Sequence, residues 1–302
     1  MTTSFAVVIT SYNYRDFVAE AVDGALAQTR APAQIIVVDD GSTDGSAAFL
    51  RERYGSDPRV TLLCCENAGQ LAAFQRGVAV ATADVLCFLD SDDRWRPGYL
   101  EKLGALYDAR KDIDFVISDM DVFGTEQRRI ALAKHPVDFG YTAISTWALT
   151  TWYGAPSSAL SMRRSFAERA VDLPDRMRKT WKLSPDNCLV YGASVHGARK
   201  YFLPTGEVEY RIHGSNGWWS NRGANLSYLN RLRSRELIGH YARTVGIDRS
   251  CLELAKLEFR TKPKPSWTET RRYMGLCMRS DALFPKRVEQ ALSVLFAFLR
   301  KR

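Results

Sequence analysis

The sequence Val85-Leu86-Cys87-Phe88-Leu89-Asp90-Ser91-Asp92-Asp93 joins five apolar residues directly to three carboxylates. An unbroken apolar run of this length predicts a strand covered on both faces. Acids gathered at the end of such a strand are costly to bury unless a cation offsets them. The stretch therefore predicts a hard divalent cation held by oxygen ligands.

Upstream, three runs have the same strand character: Phe5 to Thr10, Ile35 to Asp39 and Val60 to Leu63. Between them lie helical spacings. Asp16 to Gln28 carries an apolar stripe of Phe17, Val18, Ala21, Val22, Ala25 and Leu26. The turn Asp39-Asp40-Gly41-Ser42-Thr43-Asp44-Gly45-Ser46 precedes a helix to about Tyr54, and Asn67-Ala68-Gly69 opens another through Ala81. Buried strands alternating with helices predict right-handed crossover units and a parallel sheet. Ligands of such sheets sit beyond the carboxyl ends of the strands, and Asp39 and Asp90 both fall there.

Downstream, Pro97 to Ala109 reads as a helix with Pro97 in its first turn. Asp93 is the expected cap ahead of it. Asp114 to Ser118 and Ser158 to Met162 read as strands, and Leu183 to Ser194 as a helix. Val208 to Ile212 reads as a last strand leading into His213-Gly214-Ser215-Asn216. Residues 122–157, rich in Thr, Trp and Tyr, predict irregular structure with a flexible loop. Beyond 217, four helical spacings follow: 225–244, 250–260, 266–279 and 284–302. Ser266 and Glu269 form a capping box, and Lys262-Pro263-Lys264-Pro265 reads as a linker.

A chain of 302 residues can hold one large domain and a smaller appendage. Its six cysteines form no CxxC pair, which points to reduced thiols of a cytosolic protein and away from a zinc site. No signal-peptide pattern opens the chain, and no apolar run reaches the roughly 18 residues of a membrane span. The net charge of +8 is unevenly placed: residues 1–220 sum to −3, whereas residues 221–302 hold 18 Lys/Arg against 7 Asp/Glu, or +11. Such a tail suits nucleic acid, an anionic membrane surface or simply solvated helix faces. The apolar run Ala291 to Leu299, ending in Arg300-Lys301-Arg302, suits a peripheral membrane contact or packing on the domain or on a second copy of the chain.

With these motifs in order, the chain resembles the inverting family-2 glycosyltransferases of GT-A fold. The resemblance rests on Val8-Ile9-Thr10-Ser11-Tyr12-Asn13, Val38-Asp39-Asp40-Gly41-Ser42-Thr43-Asp44 and Asn67-Ala68-Gly69-Gln70. It continues through the DxD-like Leu89-Asp90-Ser91-Asp92-Asp93, Pro156-Ser157-Ser158, Asp186 and Tyr210-Arg211-Ile212-His213-Gly214-Ser215-Asn216. The chain departs from the family pattern in having Pro185 before Asp186, and Phe74-Gln75 where Arg-Asn is common.

The resemblance implies a Rossmann-like α/β fold with a mostly parallel central sheet. A catalytic domain would span 1–217, with a nucleotide-sugar half to about 120 and an acceptor half from about 121. A basic helical extension would fill 218–302. It implies a hexosyltransferase-type enzyme of the cytoplasm or the inner membrane face, dependent on Mn2+ or Mg2+. The donor would be a nucleoside diphosphate sugar, UDP- or dTDP-linked, and the acceptor a glycan or lipid-linked hydroxyl, with no nucleic acid partner.

By the same resemblance, Thr10, Tyr12, Asp39, Gln70, Asp90 and Ser91 bind the nucleotide. Asp92, Asp90 and His213 hold the metal, and Asp186 is the catalytic base. Arg211, Arg163 and Trp152 face phosphate or acceptor. Each has a plainer alternative. Asp92 could cap a helix, Asp39 could bond its own turn, and Asp186 could be a helix N-terminal carboxylate. His213 could be a structural hydrogen bonder, and Trp147, Trp152, Tyr153, Trp218 and Trp219 could serve core packing as well as sugar stacking. The rival functions are a sugar-phosphate nucleotidyltransferase, which would want a glycine-rich basic loop where Thr10-Ser11-Tyr12-Asn13-Tyr14 stands, and a non-enzymatic nucleic-acid binder using the basic tail.

Overall fold

An apolar run without alternation has to be covered on both faces, and the first strand is buried along its whole length. The structure, a computed structural model, describes residues 2–181, 184–214 and 224–301. It opens with β1 (Phe5–Ser11), α1 (Arg15–Leu26), β2 (Gln34–Asp39), α2 (Ser46–Tyr54), β3 (Val60–Cys64), α3 (Gln70–Val80) and β4 (Val85–Asp90). β1 lies between β2 and β4, and β3 follows β2, all parallel. This half is the crossover pattern expected from the sequence.

The second half is mixed. It comprises β5 (Arg94–Trp95), α4 (Tyr99–Ala109), β6 (Phe115–Gly124), β7 (Arg128–Ile130), β8 (Val137–Gly140) and α5 (Ala143–Leu149). Then come β9 (Leu160–Arg163), α6 (Arg164–Val171), α7 (Asp175–Thr180), α8 (Asp186–Val195) and β10 (Lys200–Ile212). The sheet runs β3-β2-β1-β4-β9-β6-β10-β5, with β7 on β6 and β8 on β10. β9 is inserted antiparallel between β4 and β6. The stretch 122–157, expected to be irregular, forms β7, β8 and α5. Elements of three to seven residues show too little periodicity to be read.

β6 and β10 extend well beyond their apolar cores. Their pairing shifts register between Leu203 and Val208. Buried Asp119 fills the irregularity, accepting hydrogen bonds from Thr205 N and Gly206 N and an ion pair from Arg129. α4 begins at Tyr99, not Pro97, and Gly98 stands at its cap with no side-chain bond. Asp93 is therefore not the cap expected of it.

The C-terminal part contains α9 (Ala224–Thr244), α10 (Ala255–Arg260), α11 (Trp267–Met278) and α12 (Phe284–Leu299). α9 joins the main core through Leu237, Ile238, Tyr241 and Ala242. A second core gathers Phe259, Tyr273, Leu276, Val294 and Phe298 around Ile144 of α5. Polar bonds tie the two parts together. Buried Glu258 accepts from Ile144 N at 2.7 Å, Ser145 N at 3.0 Å and the Tyr273 hydroxyl at 2.6 Å, capping α5 from outside its own sequence. Lys262, read as part of a linker, is only 1% exposed. Its ammonium donates to Phe139 O and Tyr141 O and pairs with Glu269. The capping box forms as expected, Ser266 Oγ accepting from Glu269 N. The boundary expected at 217–218 lies outside the described residues, as do Ser215, Asn216, Trp218 and Trp219.

Candidate active site

Register brings the acids to one rim. Thr10 pairs with Asp90 across β1 and β4, and Ser11 pairs with Asp39 across β1 and β2. The two carboxylates thus stand two strands apart, about 10 Å by ordinary strand spacing.

Asp39 is 2% exposed. Its Oδ2 accepts from Ser42 N at 3.1 Å, while its Oδ1 is buried with no hydrogen-bond partner among the described residues. A buried carboxylate oxygen left open is costly and marks a place for a ligand donor. Thr10 is buried beside it, and Tyr12 stands 47% exposed at the rim. The neighbouring acids are spent on the loops. Asp40 accepts from Ala68 N and Gly69 N and pairs with Arg76. Asp44 accepts from Ser46 N and Arg15 N. Gly41, at φ +76, fits where a Cβ would lie 2.7 Å from Asn67 N, so the two loops approach as only glycine allows.

At the end of β4, Gln70 in the first turn of α3 donates to Asp90 Oδ1 at 2.7 Å and reaches Thr10 Oγ1 at 3.4 Å. Phe74 and Gln75 turn away: Phe74 packs on Phe88, and Gln75 donates to Val171 O. Ser91 is buried, its Oγ without a partner among the described residues. Asp92 Oδ2 lies 3.0 Å from His213 Nε2. The His213 ring stacks on Phe17 and meets Tyr14 edge-on. Arg211 donates from its backbone N to Asp93 Oδ1 and from Nε to Asp92 O. Its guanidinium lies over Phe17 and Phe123 and pairs with Glu20. Arg211 thus braces the acid turn through Asp92 O and Asp93 Oδ1.

Asp93 is the turn's anchor. Its Oδ2 accepts from Ser158 Oγ at 2.5 Å, and that same hydroxyl accepts from Asp90 N. Trp95 Nε1 donates to Ser158 O. Burial, then the charges of Asp92 and Asp90, push the Asp93 carboxyl well above its ordinary value. Asp90 is raised by burial and by the charges of Asp92 and Asp186.

Asp186 opens α8, and Pro185 occupies the cap position before it. Its carboxyl is pushed up to about 6 by burial, opposed by the N–H groups of the helix start. Its charge is among the causes that raise Asp90, so the start of α8 lies near the end of β4. Trp152, 37% exposed, packs edge-on against Tyr191 of α8 at 5.3 Å. Buried Lys200 of β10 donates to Tyr153 O and Val190 O, fixing α8 against the segment that carries Trp152. Trp147 and Tyr153 pack inward, as core residues do.

Arg163 falls elsewhere. It pairs with Val85 at the far end of β4, five residues from Asp90, or roughly 16 Å of strand. It lies over Tyr107 and donates to Ile113 O. That register keeps Arg163 away from the acid turn of β4. Tyr14, Phe17 and Glu20 went unread as site residues. Phe17 and Glu20 look like ordinary helix positions, and their partners His213 and Arg211 lie almost two hundred residues later.

Among the described residues, no three His, Cys, Asp or Glu side chains form a ready-made metal cage. Asp92 with His213, and Asp90 beside them, are the acceptors at hand. This donor set suits Mg2+ or Mn2+, which commonly take one or two carboxylates and leave further positions to phosphate oxygens and water.

A sequence model of glycosyl transferase family 2 matches residues 6–169. An uncharacterized glycosyltransferase of Nostoc sp. is 31% identical over 225 residues, covering 72% of this chain and 68% of that protein. The putative teichuronic acid biosynthesis glycosyltransferase TuaG of Bacillus subtilis is 36% identical over 98 residues, covering 32% of this chain and 39% of that one. The succinoglycan biosynthesis protein ExoU of Rhizobium meliloti is 36% identical over 102 residues, covering 33% of this chain and 30% of that one. In three dimensions the chain is similar to S. aureus TarS 1-349 in complex with UDP-GlcNAc, with a TM-score of 0.58 at 14% identity, covering 99% of this chain and 88% of that one. The acid-tipped parallel strands, the GT-A architecture and these matches together show that the chain belongs to glycosyl transferase family 2 and is a glycosyltransferase.

Proposed function

We propose that the enzyme transfers a sugar from a nucleoside diphosphate sugar, UDP- or dTDP-linked, to the hydroxyl of a glycan or lipid-linked acceptor, with inversion. The product would be a cell-envelope polysaccharide, lipopolysaccharide or related glycan. The observation that carries this reading is the pair of acid-bearing strand ends on one rim, Asp90 with Asp92 after β4 and Asp39, one oxygen open, two strands away. The names of TuaG and ExoU, and the UDP-GlcNAc bound to TarS, point in the same direction. Residues 1–217 would be the catalytic domain, donor half first, and 218–302 its helical extension.

In this reading Asp39 Oδ1 accepts a hydrogen bond from the base imide, with Thr10 lining the pocket and Tyr12 over the base. Ser91 lies at the nucleotide side of the turn. Gln70 holds Asp90 in place. Asp92, His213 and Asp90 hold Mn2+ or Mg2+, which when bound supplies Lewis-acid stabilisation of the diphosphate leaving group. Asp186 accepts the proton of the acceptor hydroxyl. The oxygen forms its bond to the anomeric carbon as the carbon–oxygen bond to the diphosphate breaks, and the electron pair leaves on the diphosphate. A carboxyl raised by burial makes a better base near neutral pH than an ordinary one. Trp152 offers a ring face to the acceptor sugar.

The test is hydrolysis of a panel of UDP-, dTDP- and GDP-sugars with Mn2+ or with EDTA. Turnover confined to the metal-containing samples is the expected result. Equal turnover in EDTA would overturn the mechanism.

A further inference from the structure

α12 has two unlike faces. Ala291, Val294 and Phe298 are buried in the second core. Leu292, Phe296 and Leu299 point outward, 44%, 60% and 55% exposed. Their spacing of four and then three residues makes one stripe along the helix. Trp267, 49% exposed, lies with its ring 5.6 Å from that of Phe298 and carries the stripe onto α11.

Cations border this apolar face. Arg300 is exposed immediately after Leu299, and Arg271 is exposed one helical turn after Trp267. The one acid of the α12 outer face, Glu289, is paired with Lys286. The surrounding segment, residues 221–302, carries +11. At 16 residues α12 is about 24 Å long, and no described helix is long and apolar enough to cross a membrane.

We propose that this face of α11 and α12 docks on an anionic lipid surface, with α12 lying in the interface plane, Leu292, Phe296, Leu299 and Trp267 inserted, and Arg271 and Arg300 at the headgroups. Exposed apolar side chains in one stripe favour a phase boundary. Charge decides the occupant. A second copy would set +11 against +11, whereas an anionic leaflet attracts every Lys and Arg that lies near it. The proposal is independent of the donor chemistry, since none of these residues belongs to the site.

The test is flotation of the full chain with vesicles of phosphatidylcholine alone or mixed with phosphatidylglycerol. Wild type should rise with the anionic vesicles and not with the neutral ones. The double variant Leu292→Ser/Phe296→Ser should lose about tenfold or more of that binding, and Arg271→Gln/Arg300→Gln should lose at least about fivefold. Thermal unfolding and donor hydrolysis measured on the same samples should match wild type, showing that the fold is intact. Wild type remaining at the bottom with both vesicles would overturn the proposal, as would equal flotation of the Leu292/Phe296 variant. A concentration-dependent dimer abolished by that variant, with no vesicle binding, would overturn it in favour of a second copy.

Discussion

His213 Nε2 stands 3.0 Å from Asp92 Oδ2, so the segment after β10 reaches back to the acid turn after β4. Arg211, two residues earlier, binds the same turn at Asp92 O and Asp93 Oδ1. The turn is therefore held from outside its own sequence, and the imidazole is oriented by Phe17 and Tyr14. Removing a side chain that orients a metal-binding carboxylate commonly costs about 10- to 100-fold in metal affinity, and His213 stands in that relation to Asp92, the proposed ligand. We expect His213→Ala to weaken Mn2+-dependent UDP binding by about that factor in calorimetry. Unchanged affinity would remove His213 from the metal set.

Ser158 binds two parts of the turn with one hydroxyl, donating to Asp93 and accepting from Asp90 N. Ser158 is fully buried, so Ser158→Ala leaves a carboxylate oxygen and an amide without a partner. We expect a loss of about 1–3 kcal/mol in urea unfolding. A variant as stable as wild type would show that the bridge contributes nothing.

Glu258 does similar work at the junction with the C-terminal helices, accepting from two N–H groups of α5 and from Tyr273. Glu258→Ala should cost roughly 3 kcal/mol, because three buried donors lose one acceptor. Urea unfolding measures it. A loss below about 0.5 kcal/mol would mean that α5 is capped well enough without it.

The raised carboxyl of Asp186 has two consequences in pH. As the proposed base, Asp186 must be ionised, so transfer should climb as pH rises through about 6, a limb absent in Asp186→Asn. Stability of the metal-free protein moves the other way. Between the ordinary value of 3.8 and about 6 the folded state binds more protons at Asp186 than the unfolded chain, so its contribution falls as pH rises through that window. Asp90 and Asp93 act in the same sense. Melting temperatures in EDTA from about pH 4 to about pH 7 should therefore decline less in Asp90→Asn than in wild type. Parallel declines would contradict the burial argument.

The first half of the fold was legible because β1, β2 and β4 are each built on an unbroken apolar run, and β2 and β4 end in acids on one edge. Alternation, caps and turns there are all local. The second half resisted because its elements are short, as with β7, or broken inside, as with β10 at Thr205-Gly206. Residues whose task is set by a distant partner were misread for the same reason. Asp93 looks like a cap until Ser158 and Arg211 arrive from elsewhere in the chain, and only register shows that Arg163 stands at the far end of β4. Lys262 opens a Lys-Pro-Lys-Pro run that reads as a linker, yet its ammonium joins the two parts of the molecule. The two rival functions fall with family membership, which the ordered motifs signalled and the comparisons show.

The central claim is a division of labour between Asp92, which holds the metal and donor, and Asp186, which takes the proton. It is tested most directly by measuring Mn2+-dependent UDP-sugar binding and sugar transfer side by side in Asp92→Ala and Asp186→Asn. The account predicts that Asp92→Ala loses binding and turnover together. Asp186→Asn should bind the donor as wild type does while transfer falls by about 10²- to 10⁴-fold. Transfer by Asp186→Asn at the wild-type rate, or donor binding undiminished in Asp92→Ala, would contradict it.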